Sequence, residues 1–288
     1  MKRLLLFVAL ALMAASCEVG GDRPSLFYAT VEDQAPESKV YADASLHVLW
    51  NQDDRISIFN KTDFNGEYVF QGKDGDNAGT FGPVQEGAGS AIEHVYAVYP
   101  YNPGTTIDAA GAIAYIFPDV QWYQPASFGT GANAMVSVTD DNNLNFKNIG
   151  GYLSFKLYGE GVTVGYISFR GNNHEKLSGP AIVTMPLGGT PKVTMQNGAG
   201  EELILVCDEP VTLKSTPEEY TEFWFVVPPT IFTKGFTVTV TDIVGCHYEK
   251  TSSSPLTIER NNISRMAPVQ KVPAIDVTNS EGIIHEIW

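Results

Sequence analysis

Residues that could do chemistry are present but scattered. The five histidines are His47, His94, His174, His247 and His285, and none falls in an HExxH or other close metal-ligand spacing. Isolated histidines on strands and loops are ordinarily polar or packing residues. No GxSxG elbow occurs, and the glycine-rich Gly129-Thr130-Gly131-Ala132-Asn133 lacks the strand-to-helix context of a phosphate loop. Glycoside hydrolysis needs two carboxylates facing one bond. Asp53 and Asp54 are neighbours in an extended approach, where adjacent side chains point to opposite faces, and Asp140 and Asp141 read as solvated turn residues. Asp74-Gly75-Asp76-Asn77 resembles the start of a calcium loop, but Gln85 stands where the twelfth-position Glu belongs, which leaves at most a loose surface site. No catalytic residue, metal or cofactor is therefore expected. The remaining candidates are aromatic. Trp122 and Tyr123 lie in the loop-like segment Gln121–Pro125 and could stack on a sugar ring, whereas Tyr99, near Tyr101, reads more readily as core.

The elements that would position these residues are all strands. Phe27, Ala29 and Val31 lie two apart, as do Ile56 and Ile58. Leu153, Phe155 and Leu157 alternate with Ser154 and Lys156, and Phe236, Val238 and Val240 alternate with threonines, the pattern of a strand with one buried and one solvated face. Phe223–Val227 is apolar throughout and reads as a central strand covered on both faces, stopped by Pro228 and Pro229. Clusters such as Gly72–Gly82 and Tyr101–Thr105 supply turns. No long helical periodicity follows residue 16. An all-β fold of sandwiches or barrels is the expectation, with the polar stretch Thr139–Asn145 as the boundary between an N-terminal domain, 26–143, and a C-terminal domain, 144–270.

The first residues are an address. Lys2 and Arg3 precede ten uninterrupted apolar residues, Leu4 to Met13, followed by Ala14-Ala15-Ser16-Cys17. Residues 1–16 read as a secretory signal peptide, too short to span a bilayer. The end resembles a lipobox, in which cleavage leaves Cys17 to be acylated, although Ala14 stands where Leu is commoner. Each buried CH₂ contributes about 0.8 kcal/mol, so several acyl chains anchor stably. Residues 17–25 then form a lipidated tether. Of the other cysteines, Cys207 and Cys246 are free to pair in an exported protein or to sit as buried thiols. The net charge is −15. That excludes the basic footprint of a nucleic-acid binder and disfavours docking on an anionic membrane surface.

Several segments, in chain order, resemble the fimbrillin, or Mfa-like, family of surface lipoproteins. They are Phe27-Tyr28-Ala29-Thr30-Val31, Trp50 through Phe59, Tyr96 through Tyr101, Phe146 through Leu153, Leu177-Ser178-Gly179-Pro180, Phe225 through Pro229 with Gly235 through Val238, and Ile258 through Ile263. The resemblance covers about residues 26–270. It implies two tandem transthyretin-like β-sandwiches after a lipoprotein signal peptide, and a structural or adhesive subunit of a fimbria at the outer membrane and cell surface. It also implies assembly with other fimbrial subunits by strand exchange. A protease would cut after a basic residue, here Lys39 where polymerising members more typically carry Arg, and release the strand near Leu26–Val31. Trp50 itself reads as a core anchor.

Residues 271–288 continue past the resemblance, with Ile275 and Val277 two apart and Ile283, His285 and Ile287 in a second period-2 set. A donor strand for a neighbour, an added strand on the same chain and a linker all fit. The other functional reading is a monomeric surface lipoprotein that binds a glycan or host ligand. If Cys17 carries the anchor, Cys17→Ala leaves the protein in the soluble fraction after cell lysis, and metabolic labelling with a fatty-acid analogue is lost.

Overall fold

The computed structural model describes residues 26–32, 49–85 and 87–270. Cys17, Lys39, the signal peptide, the tether and the tail 271–288 lie outside the described residues. Every regular element among the described residues is a strand. In chain order these are β1 (Phe27–Val31), β2 (Arg55–Lys61), β3 (Phe64–Phe70), β4 (Ala78–Pro83), β5 (Ala91–Tyr99), β6 (Thr106–Ile107), β7 (Ile113–Phe117), β8 (Val120–Gln124), β9 (Ser127–Phe128), β10 (Met135–Thr139) and β11 (Asn143–Asn148). They continue as β12 (Gly151–Tyr158), β13 (Thr163–Gly171), β14 (Gly179–Thr184), β15 (Lys192–Met195), β16 (Glu202–Thr212), β17 (Thr221–Val227), β18 (Thr230–Phe232), β19 (Phe236–Asp242), β20 (His247–Ser252), β21 (Leu256–Ile258), β22 (Ile263–Arg265) and β23 (Val269–Gln270).

The first core lies inside a closed barrel ordered β1-β11-β10-β5-β2-β3-β4. Trp50 sits at its centre, 1% exposed, with edge-to-face rings at 5.1 Å (Phe81), 5.3 Å (Tyr99) and 5.6 Å (Phe146). Its backbone is held by the Gly72–Asn77 turn: Trp50 N–H donates to Asp76 O at 2.8 Å, and Gly75 N–H to Trp50 O at 2.9 Å. The carboxylates of that turn accept backbone N–H groups, Asp74 from Gln52 at 2.5 Å and Asp76 from Lys73 at 2.8 Å. The segment read as a candidate calcium loop thus fastens the central tryptophan.

Strands β2, β5 and β10 bury apolar residues on both faces because both faces are covered. Ile58, Ala97 and Met135 point into the barrel, while Phe59, Val98 and Val136 point outward into a second core with Ile113, Tyr115, Ala181 and Val183. That outer layer is the sheet β15-β14-β7-β6. The third core is a sandwich. Phe155 and Leu157 of β12 and Phe223 and Phe225 of β17 face Ile167, Phe169, Leu205 and Val240 of the six-stranded sheet β20-β19-β13-β16-β8-β9.

Two expectations shift. The sheets do not part at 143/144. Thr139–Asn143 is the tight turn of the β10–β11 hairpin, where the Asp141 carboxylate accepts from the Thr139 hydroxyl and the Asn143 N–H, so its polarity is turn chemistry. β14 and β15 cover the barrel, and β8 adds to the later sheet. The first sheet closes on itself and is covered on its outer side by the sheet β15-β14-β7-β6. Strand β17 is covered on both faces, with Phe223 and Phe225 on one side and Trp224 and Val226 on the other, yet it ends its ladder. The buried Gln121 amide supplies the missing partner: Nε2 donates to Val226 O at 2.7 Å and Oε1 accepts from Val226 N–H at 2.9 Å. Cys207 and Cys246 are free thiols, and burial pushes Cys207 up to about 11.

Trp50→Ala is expected to lower the free energy of unfolding by about 3–5 kcal/mol in urea titrations. Ile231→Ala, at a position 62% exposed, should change it by no more than about 0.5 kcal/mol.

Candidate functional site

The barrel is closed by the five-residue strand β1. β1 pairs in parallel with β11 (Tyr28↔Asn143 to Val31↔Phe146) and antiparallel with β4 (Phe27↔Phe81 to Thr30↔Ala78). Neither neighbour is joined to it by a hairpin. Phe27 and Ala29 point inward and are buried, and Phe27 meets Tyr68 edge to face at 5.4 Å; Tyr28 points out. The alternation read from the sequence therefore describes a plug whose removal would bare two ladder edges and an apolar slot.

The residue after β1 latches the plug. Glu32 accepts both Arg260 guanidinium nitrogens, Nη2 at 3.2 Å and Nη1 closer, and its Oε1 also accepts the Asn148 N–H at 2.6 Å. Arg260 Nη1 donates further to Asn148 O at 2.9 Å. From there a buried chain runs on: Asn148 Nδ2 donates to Asn261 Oδ1 at 2.7 Å, Asn133 Nδ2 to Asn148 Oδ1 at 2.7 Å, and Tyr152 OH to Asn133 Oδ1 at 3.0 Å. Burial drives the Tyr152 phenol well above its ordinary range. The network joins the end of β1 to the barrel strand β11, the sandwich strand β12 and the turn before β22. Sequence reasoning did not single out Glu32, Arg260 or the asparagines. Their partners lie up to 228 residues away, beyond any local pattern.

Of the sequence-derived candidates, Trp122 and Tyr123 are on strand β8, paired with β16 and β9, and not in a loop. Adjacent strand residues face opposite ways. Trp122 is 50% exposed, while Tyr123 turns inward onto Phe223 with ring centroids 5.1 Å apart, and burial raises its pKa. The two rings therefore do not form one platform. Gly129 lies against this strand so closely that a Cβ would fall 2.2 Å from Trp122 O. Tyr99 is core, and its hydroxyl donates to Asp54 at 3.0 Å. Asp53 occupies the turn before β2 with φ 69°. No group of three or more His, Cys, Asp or Glu converges among the described residues.

No family model matches the chain, and no curated protein matches it either. Solved structures do. A candidate cell adhesion protein from Bacteroides uniformis aligns over 87% of this chain and 94% of its own, with a TM-score of 0.50 at 15% identity. This chain has that protein's fold. A candidate cell adhesion protein from Bacteroides ovatus aligns over 86% and 92% with a TM-score of 0.49 at 14% identity. A tip fimbrial protein of Porphyromonas gingivalis aligns over 83% and 94% with a TM-score of 0.27 at 10% identity.

Glu32→Gln or Arg260→Met should loosen β1 locally. Native-state hydrogen exchange should show the opening free energy of the Tyr28–Val31 amides falling by about 2 kcal/mol, the scale of a charge-assisted bond. The amides of β13 should keep theirs. The double variant should cost less than the two single effects summed, because both remove one interaction.

Proposed function

We propose that this chain is a structural and adhesive subunit of a cell-surface fimbria. It is anchored to the outer membrane through acylated Cys17 during export and assembles with other fimbrial subunits by strand exchange. The observation that carries this reading is the position of β1, which closes the barrel between β4 and β11 without a hairpin to either. A cut after Lys39 would free β1 together with Glu32 and leave every later strand continuous. The open slot would then offer ladder hydrogen bonds for affinity and inward pockets beside Phe81, Leu144 and Phe146 for register, the requirements of β-augmentation. The fold likeness to the Bacteroides uniformis protein, itself described as a candidate for cell adhesion, supports a surface role. No enzymatic step is part of the reading.

Limited trypsin treatment of the mature chain, residues 18–288, tests it. Cleavage at Lys39, located by mass spectrometry, should be followed by multimers that survive SDS and appear in light scattering. A cleaved chain that stays a clean monomer at high concentration would overturn strand exchange. Removing 271–288 should abolish the multimers if the tail is the donor strand. Unchanged multimers would rule the tail out as donor.

A further inference from the structure

Among the described residues, the six-stranded sheet has a hydrophobic core on one face only. On β16 the run Leu203-Ile204-Leu205-Val206 is apolar without alternation, a pattern expected of a strand covered on both sides. Leu203 and Leu205 enter the sandwich core, but Ile204 and Val206 point the other way and stay partly exposed. The ladders align a row on that outer face: Trp122 of β8 lies opposite Val206, and Val206 lies opposite Tyr166 of β13. Trp122 is 50% exposed and Tyr166 38%. Neither belongs to any of the cores.

Tyr166 reaches this face through an irregularity. Both ladders of β13 shift register between Val164 and Tyr166. Val164 and Ile167 are fully buried, so the inward and outward faces change over at the bulge. Without it Tyr166 would share the buried face of Val164. Bulges of this kind re-aim single side chains. The adjoining row carries Val120, Ile204, Ser168 and Thr239 in register, with the Arg170–Glu249 ion pair at 3.3 Å along its margin.

We infer that Trp122 and Tyr166 form a binding platform for a neutral glycan chain. Two strand spacings separate the aromatics by roughly 9 to 10 Å, comparable to the length of a disaccharide, and both stand on sheet backbone that fixes their separation. The C–H faces of sugar rings stack on such rings, while the Ser168 and Thr239 hydroxyls and the charged margin can exchange hydrogen bonds with sugar hydroxyls. A chain of net charge −15 whose platform holds one arginine, already paired, does not favour an acidic ligand. The inference deepens the adhesive part of the proposed function and does not depend on strand exchange.

The test uses the uncleaved mature chain in native gels containing a soluble linear β-glucan, a xylan or a mannan, with alginate as the acidic control. Retardation is expected in at least one neutral gel and not in alginate. Trp122→Ala and Tyr166→Ala should each weaken it about tenfold, as for a buried aromatic anchor, and Ile231→Ala should not. Circular dichroism would verify that each variant is folded. Absence of retardation in every neutral gel, retardation in alginate alone, or binding indifferent to Tyr166→Ala would overturn the platform. So would a Trp122→Ala variant that keeps its glycan binding but changes oligomeric state, which would make the face a protein contact. Because the assay is run before any cleavage, loss of strand exchange would leave its result standing.

Discussion

The buried side chain of Asn148 is the point on which the architecture turns. Its amide nitrogen donates to Asn261, its amide oxygen accepts from Asn133, and the Glu32–Arg260 pair holds its backbone on both sides. A buried polar group left without a partner costs about 1–3 kcal/mol, more if charged. The network is therefore favourable only when all its members are in place. Those members come from the end of β1, the segment before β10, the end of β11, the start of β12 and the turn before β22. Satisfying them requires the barrel and the sandwich to be folded together.

That coupling shapes how the molecule handles its sheet edges. Seven strands close on themselves and leave no edge in the barrel, at the expense of relying on β1 to complete it. The free edge of β17 is met by the Gln121 amide, which bonds both backbone groups of Val226 and so blocks addition of a strand there. The barrel edge that depends on the short, hairpin-free β1 is tied by an ion pair to Arg260, in the turn before β22. Partner exchange at β1 would thus be felt at Arg260, because the departing strand takes the Glu32 carboxylate with it.

The contrast between the faces of the six-stranded sheet follows the same economy of contacts. Its inner face holds Ile167, Phe169, Leu203, Leu205 and Val240 against β12 and β17. Its outer face keeps aromatic and aliphatic residues beside threonines and an ion pair. The threonines of β19 are not simply solvated as their alternation suggests: Thr237 donates to Asn172 at 2.7 Å and Thr241 bonds His247 at 2.9 Å, and both are buried under their neighbours.

Local pattern carried much of this. Period-2 alternation in Phe27–Val31 and Leu153–Leu157, the apolar run Phe223–Val227 and the turn clusters establish an all-β chain and the inward faces of its strands, because burial of a face is written in neighbouring residues. The core role of Trp50 is legible for the same reason. What local pattern could not express is which strand lies beside which. The division near residue 143 dissolves because a polar turn and a polar linker have the same composition, and only the pairing of β11 with β1 distinguishes them. Trp122 and Tyr123 separate onto opposite faces once β8 is a strand. Glu32, Arg260, Gln121 and Tyr166 acquire meaning only from partners brought near by the fold, since hydrogen bonds and ion pairs between residues more than a hundred positions apart leave no periodic trace in the chain. Sequence alone determined the strands; tertiary structure decided their partners, because face burial is a local property and ladder and charge pairing are not.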